Sequence, residues 1–299
     1  MSQLHAGSVV ASVDGRDVIE CELCRLRHVW PYPSATASDE LYKHQYHDDA
    51  NLAFAKQQEQ DRAWWECTLG DRLDVVEQQL GRRGRLLDIG SGTGMFIDVA
   101  SKRGWDCVGL EPSVRACEYS RSKGHKVIES FWTSEIASTV GVFDLVHLAN
   151  VLEHVVDPHA ILSIAAYVLG QNGFLIASVP NDFNPLQTAF VQSTVLPQWW
   201  VVPDHHINYF SLPSLKLLIE RSGLEVFYTH SSFPLELFLL MGDNYIGDSD
   251  VGRKCHERRM NFDLCLSKFH KRFKLEFYRQ LGGMGIGRDI VVYARNPSQ

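Results

Sequence analysis

The chain has 299 residues, of which 45% are hydrophobic and 22% charged, and it carries a formal net charge of −7. These values fit a folded α/β chain with a sizeable core and exclude wholesale disorder, and the negative balance argues against a surface given over to nucleic acid. Seven cysteines, an odd number set in apolar segments, fit a reducing compartment better than a disulfide framework.

The start, Met1 to Asp17, shows no basic-then-apolar leader, and the longest apolar run, Phe233 to Met241, is interrupted by Glu236. The expected location is therefore the cytoplasm. Residues 1–58 lack sustained periodicity and carry turn residues such as Pro31, Pro33 and Ser34, so they read as an appendage. An amphipathic helix is predicted from about Glu59 to Leu80.

From Arg85 short apolar runs alternate with helical stretches. Leu86–Ile89 predicts a strand, Met95–Lys102 a helix, Cys107–Leu110 a strand and Ser113–Lys123 a helix. Strands follow at Lys126–Ile128 and Phe143–Leu148. Asp157-Pro158 predicts an N-cap with proline at the first helical position, opening a helix to about Leu169 that Asn172-Gly173 should stop. The strand Phe174–Val179 comes next. Ser211 can cap a helix over Pro213–Arg221, Gly223 ends it, and Leu224–Thr229 and Ile290–Ala294 read as the last strands. Seven strands alternating with helices imply a Rossmann-like, mostly parallel sheet covered on both faces. The main domain would span 59–299, with insertions at 181–210 and 231–287. The first insertion leaves from the carboxyl end of a strand, where ligands of open α/β sheets bind.

Asp88-Ile89-Gly90-Ser91-Gly92-Thr93-Gly94 lies between a predicted strand and a predicted helix, the context of a nucleotide-binding turn. Glu111 ends the next strand, where a carboxylate can accept from both ribose hydroxyls. The spacing is Gly-x-Gly-x-Gly rather than the Gly-x-Gly-x-x-Gly of dinucleotide binders. Asp88, two residues before the first glycine, would repel a pyrophosphate but suits the α-ammonium of a methionine moiety. S-adenosylmethionine is favoured over NAD.

Leu-Leu-Asp-Ile-Gly-Ser-Gly-Thr-Gly, Gly-Leu-Glu-Pro-Ser, Phe-Asp-Leu-Val and Leu-Glu-His-Val-Val-Asp-Pro together resemble the class I S-adenosylmethionine-dependent methyltransferases. The similarity is greatest to the group holding ubiquinone-biosynthesis O-methyltransferases and sugar methyltransferases, over about 85–229 plus the terminal strand. The resemblance implies that Asp88, Gly90 and Gly92 contact the amino-acid part of the cofactor, and Ser91 and Gly94 of the same loop are further cofactor-binding candidates. Glu111 would hold the ribose, Phe131 or Trp132 would lie beside the adenine, and Asn150 would complete the cofactor set.

On the acceptor side, Glu153 and His154 match a stretch that in ubiquinone-type relatives is associated with a divalent metal. Asn150 stands where the first carboxylate would be, and one carboxylate with one histidine makes a poor magnesium site, so no metal is expected. Pro180–Pro185 is dense in amides and a carboxylate that can serve the turn backbone or read substrate hydroxyls. Asp204-His205-His206-Ile207-Asn208-Tyr209-Phe210-Ser211 resembles an element whose histidine is proposed as the base in some sugar methyltransferases. His206 is the candidate base, expected to have a near-neutral pKa, with His205 or Asp204 to orient it. Trp199 and Trp200 either wall the acceptor pocket or pack.

Between Arg253 and Arg279 nine Lys or Arg face three acids, and Phe262, Leu266, Phe269, Phe273, Phe277 and Leu281 recur at helical spacing. A basic face over a core-facing stripe is one reading; a lid for an anionic acceptor or a peripheral membrane face are the others. Cys21-Glu22-Leu23-Cys24 resembles half of a zinc-ribbon appendage, yet no first Cys-x-x-Cys pair exists, and nothing in their spacing compels His5 and His28 to complete a set. The sequence thus points to methyl transfer onto an oxygen of a small acceptor, a sugar or glycan precursor or a phenolic metabolite. C- or N-methylation with the same cofactor, or a non-catalytic nucleotide-binding partner protein, are the alternatives.

Overall fold

The computed structural model describes residues 5–33 and 50–297. The appendage is not irregular. Strands β1 (Gly7–Val13), β2 (Arg16–Cys21) and β3 (Arg27–Trp30) form an antiparallel meander. The sequence signal for it is Asp14-Gly15 between two half-apolar runs: both residues take positive φ, 51° and 75°, as a tight two-residue hairpin turn requires. The runs are short and only partly alternating, which hid them from a periodicity reading.

The helix expected over 59–80 is two helices, α1 (Ala50–Gln60) and α2 (Arg62–Leu80), parted at Asp61. The central sheet follows the predicted alternation: β4 (Arg85–Ile89), α3 (Met95–Lys102), β5 (Asp106–Glu111), α4 (Val114–Ser122), β6 (Val127–Glu129), α5 (Ser134–Val140), β7 (Phe143–Ala149), α6 (Pro158–Val168) and β8 (Leu169–Pro180). Asp157 caps α6 as expected, its side chain accepting from the Ala160 N–H at 2.9 Å. Asn172-Gly173, however, does not end that helix. The chain passes into β8 at Leu169, and Asn172 takes φ 60° within the strand's first residues.

After β8 come α7 (Pro185–Ser193), the two-residue β9 (Asn208–Tyr209), α8 (Leu212–Arg221), β10 (Glu225–Ser231), α9 (Glu236–Leu240), α10 (Ser249–Gly283) and β11 (Asp289–Arg295). The main sheet has seven strands in the order β10-β11-β8-β7-β4-β5-β6. All neighbours are parallel except β11, which runs antiparallel to β8 and β10. Successive residues point to opposite faces, so Leu87, Ile89, Val146, Leu148, Leu175 and Ala177 enter one core, and Leu86, Leu145, Phe174 and Ile176 the other. Burial on both faces is why these strands read as continuous apolar runs.

Two tertiary features lie outside the sequence reading. β9, from the first insertion, pairs antiparallel with β3, Arg27 opposite Tyr209 and His28 opposite Asn208. Val18 and Val29 of the meander share one apolar cluster with Trp200, Val201, Ile207 and Tyr209. Trp200 is therefore a packing residue that ties appendage to insertion. The second feature is α10, which is kinked at His270 (φ −166°, ψ 97°). Several of its cations face acids: Arg253 meets Asp61 at 2.7 Å, Lys274 meets Asp71 at 2.8 Å and Arg258 meets Asp243 at 2.5 Å. Lys271 pairs with Asp71 and Asp74, and the Arg259 guanidinium lies 4.5 Å over the Trp64 ring. The basic side thus docks on α2 and its surroundings. Part of the aromatic stripe faces outward, with Phe269 and Phe273 exposed. Among the described residues no helix is long and apolar enough to cross a membrane.

Candidate active site

β4 has β5 on one side and β7 on the other, and the chain leaves it toward β5 and β6 before crossing to β7. A crevice opens at such a switch point, outside the carboxyl ends of the strands. The glycine loop occupies it. The N–H groups of Gly90 and Ser91 both donate to the Leu110 carbonyl, at 2.8 and 3.1 Å, which folds the loop back over β5. Gly90 has φ 71°, and a Cβ there would stand 2.5 Å from Val151 Cγ2. The loop after β7 therefore rests directly on the glycine loop. Gly92, at φ 50°, has nothing within 4 Å of its Cβ position, so its bare backbone faces open space where a ligand can approach. Gly90→Ala is expected to lower the melting temperature by the equivalent of about 1–3 kcal/mol of backbone strain and to weaken cofactor binding, as paired thermal melts and calorimetric titration would show.

Two carboxylates flank this loop. Glu111 accepts from the Gly92 N–H through Oε2 and from the Ser113 N–H through Oε1, both at 2.9 Å. Burial raises its pKa, and those two N–H donors oppose the rise. Asp88 is buried beneath the loop, 2.7 Å from His147 Nδ1. Burial lowers the His147 pKa, so the neutral ring donates from Nδ1 to Asp88 while Arg72 Nη1 lies 3.4 Å from its Nε2. Phe96 stacks on the same ring at 3.7 Å. His147 and Arg72 back the Asp88 carboxylate without having been singled out from the sequence; the available signal was a histidine inside an otherwise apolar parallel strand. The donors, the open backbone at Gly92 and the fixed acid together fit the ribose and amino-acid parts of S-adenosylmethionine.

The remaining cofactor candidates divide. Ser130 N–H donates to the Glu111 carbonyl at 3.1 Å and brings Phe131, half-buried, to the loop beyond β5. Trp132 does not share that position: it is buried in the core with Leu110, Ala137 and Leu148. Asn150 is exposed at φ 55°, its N–H donating to the Ser178 carbonyl. Ser91 packs over Gly109, and Gly94, at φ 82°, opens α3.

The acceptor-side candidates come together where the loops after β7 and β8 meet the approach to β9. The Ile207 and Asn208 N–H groups donate to the Glu153 carbonyl, at 2.8 and 3.1 Å, and His154 Nδ1 lies 2.7 Å from the His205 carbonyl. These bonds bring Glu153, His154 and His206 together, with the two histidine rings 5.0 Å apart and edge-to-face. Asp182, from the Pro180–Pro185 segment, lies 3.9 Å from His206 Nδ1. Asp182 is thus the carboxylate beside His206. Asp204 is turned outward, exposed, and pairs with Arg16 at 2.7 Å. His205 is exposed and brings its carbonyl within 2.7 Å of His154 Nδ1.

Burial governs the charges. It pushes His206 down to about 3 and His154 down to about 4, so both rings are neutral, not poised near neutrality as the sequence suggested. It raises Asp182 to about 6 and Glu153 to about 8. Glu153 binds its proton more tightly folded than unfolded. Its contribution to stability is therefore complete below the ordinary carboxyl value of 4.5 and is lost as the pH rises through about 8. Glu153→Gln, which keeps the shape without the titration, is expected to melt several degrees above the parent at pH 9 and to lose that advantage at pH 4. Melting curves across that range are the check.

Among the described residues two groups bring metal-binding atoms within 4.8 Å of one another. One is Glu153, His154 and His206, whose composition also matches a two-histidine, one-carboxylate cation set. The other is His5, Cys21, Cys24 and His28 in the appendage.

A family model for a methyltransferase domain matches residues 58–229. The chain is 25% identical over 223 residues to the C-methyltransferase NovU of Streptomyces niveus, covering 72% of this chain and 48% of the relative. It is 30% identical over 155 residues to the ubiquinone biosynthesis O-methyltransferase of Bradyrhizobium sp. (strain ORS 278), covering 47% of this chain and 61% of the relative. The chain thus spans about half to three-fifths of the length of these relatives. Among solved structures, an S-adenosylmethionine-dependent methyltransferase from Archaeoglobus fulgidus superposes with a TM-score of 0.51 at 17% identity, over 81% of this chain and 99% of that one. The plantazolicin methyltransferase BamL, solved with S-adenosylhomocysteine, gives 0.53 at 14% identity, over 88% and 96%. These two show the shared fold. With the family model covering more than half its length and the glycine loop, Asp88 and Glu111 in place, the chain belongs to the class I S-adenosylmethionine-dependent methyltransferases.

Proposed function

We propose that this protein methylates a hydroxyl oxygen of a small acceptor, a sugar or glycan precursor or a phenolic metabolite, with His206 as the base. One observation carries the reading: a buried, neutral imidazole beside the Asp182 carboxylate, on loops that touch the glycine loop through Val151. S-adenosylmethionine supplies an electrophilic methyl group on a sulfonium. A neutral hydroxyl is a poor nucleophile, so a base must take its proton as attack proceeds. Burial keeps His206 unprotonated but also makes it a weak base, so taking the proton requires the Asp182 carboxylate, 3.9 Å away, to offset that burial as the imidazolium forms. The imidazolium it becomes is stabilised by Asp182, ionised above about pH 6. Glu153, protonated at neutral pH, can donate a hydrogen bond to the acceptor or to His154. Several cations of α10 are already paired with acids, and charge on the acceptor is not part of this proposal.

The test is release of S-adenosylhomocysteine against a panel of sugar nucleotides and phenols, with the transferred methyl located by carbon NMR. Turnover that needs an added divalent ion and disappears in Glu153→Gln would replace the His206 reading with a metal-assisted one. A second reading is methylation at carbon. The match to the C-methyltransferase extends over 72% of this chain, against 47% for the ubiquinone-type relative, so its likeness reaches beyond the region the latter shares. The same base would then remove a proton from carbon next to a carbonyl. Solvent deuterium entering that carbon, with no cofactor added, separates the two readings.

A further inference from the structure

The appendage brings four metal-binding side chains to one point. Cys21 ends β2, Cys24 lies in the turn after it and His28 is in β3. The turn is closed by Cys21 N–H to the Leu26 carbonyl at 2.9 Å and by Arg25 N–H to the Cys21 carbonyl at 3.0 Å, with Arg25 at φ 67°. Gly7 pairs with Cys21 across the sheet, which delivers His5 from the other side. His5 Nδ1 lies 3.0 Å from His28 Nε2 and 3.3 Å from Cys21 Sγ. A tetrahedral zinc with arms of about 2.0–2.3 Å has ligand-to-ligand edges of about 3.3–3.8 Å, close to these separations. The second nitrogen of His28 is already committed: Nδ1 donates to the Val29 carbonyl at 2.9 Å, which leaves the Nε2 lone pair aimed at the cluster. Cys21 and His28 are buried, and Trp30 and Tyr32 enclose the group, Tyr32 stacked on His28 with centroids 4.3 Å apart. A thiophilic ion would use all four donors, both thiolates and the two facing imidazole nitrogens.

We propose that His5, Cys21, Cys24 and His28 form a structural zinc site that locks the appendage onto the acceptor-side loops. The lock runs through Tyr32, which stacks on a ligand and donates from its hydroxyl to Asn208 Oδ1 at 3.0 Å. Asn208 Nδ2 in turn donates to the Leu152 and Val155 carbonyls, at 3.0 and 2.7 Å. Those residues bracket Glu153 and His154. The ion thus orders, from outside the catalytic centre, the loop that carries the acceptor-side cluster.

The experiment uses the full chain expressed with zinc in the medium and purified without a histidine tag. Elemental analysis is expected to find about one zinc per chain, with Cys24→Ser and His28→Ala losing it and His5→Cys retaining it. Cobalt exchanged into the parent protein should give the visible bands and thiolate charge-transfer absorption of a tetrahedral site, a readout that does not depend on the variants folding. Absence of zinc and of those bands, or two cysteines found joined as a disulfide in freshly purified protein, overturns the site. Removing zinc with a chelator should raise hydrogen exchange at Ile207 and Asn208 at least tenfold while β4 and β5 stay protected. Unchanged exchange there overturns the lock. None of these readouts requires turnover, so they stand apart from the test of His206.

Discussion

His206→Ala is expected to lower turnover by about 10²–10⁴-fold, the range for removing a positioned base, with S-adenosylmethionine affinity unchanged. The prediction separates two roles that the same position could play. A histidine that merely pins the first insertion would, when lost, loosen Ile207 and Asn208 from the Glu153 carbonyl and lower the melting temperature. A base would leave the melting temperature near its parent value and act on turnover alone. The pH profile adds a second handle. Asp182, raised to about 6 by burial, must be ionised to stabilise the imidazolium, so activity should climb through about pH 6. Asp182→Asn should flatten that limb and keep part of the activity, because His206 itself remains. Near-normal turnover in His206→Ala would sink the assignment.

Glu111→Ala should weaken S-adenosylmethionine binding by about 100-fold, the effect of losing hydrogen bonds to a charged group at roughly 1.5–3 kcal/mol with two donors left unpartnered. The carboxylate accepts from Gly92 and Ser113, so it shapes the glycine loop in addition to the ribose contact expected of it. Glu111→Gln is the informative companion: its amide oxygen can keep one of those bonds, and it should fall between parent and alanine. Thermal shift with S-adenosylhomocysteine checks both. Equal shifts in parent and Glu111→Ala would remove Glu111 from the cofactor site while leaving the fold intact.

The local parts of this protein were legible because each is determined by neighbours in the chain. The five alternating runs from Leu86 to Val179 became the parallel sheet because burial on both faces demands continuous apolar strands. Asp157 and Ser211 capped their helices as read, since a cap involves residues only three positions apart. The glycine loop and Asp88 were legible because a strand–turn–helix fixes their relative placement within a few residues, and Glu111 because it ends the next strand, which pairs in parallel with β4.

Other assignments depended on residues far apart in sequence. Asp204 precedes His206 by two positions yet turns away to Arg16, while Asp182, more than twenty positions upstream, supplies the carboxylate. The near-neutral pKa expected of His206 failed because solvent exclusion by the β9 region is a property of the packed molecule. The basic stripe of α10 looked like a free face, and acids at the start of α2 and within it, about two hundred residues earlier, meet several of its cations. The four appendage ligands follow the same rule. Their spacing in the sequence compels nothing, and the pairing of Gly7 with Cys21 and of β2 with β3 is what brings them to one point. Sequence alone determined the alternation of strands and helices, the caps at Asp157 and Ser211 and the glycine loop, each of which depends on residues close together in the chain. Charge state, partner choice and the acceptor-side cluster were decided only by tertiary packing, because desolvation and long-range pairing exist only once distant segments meet.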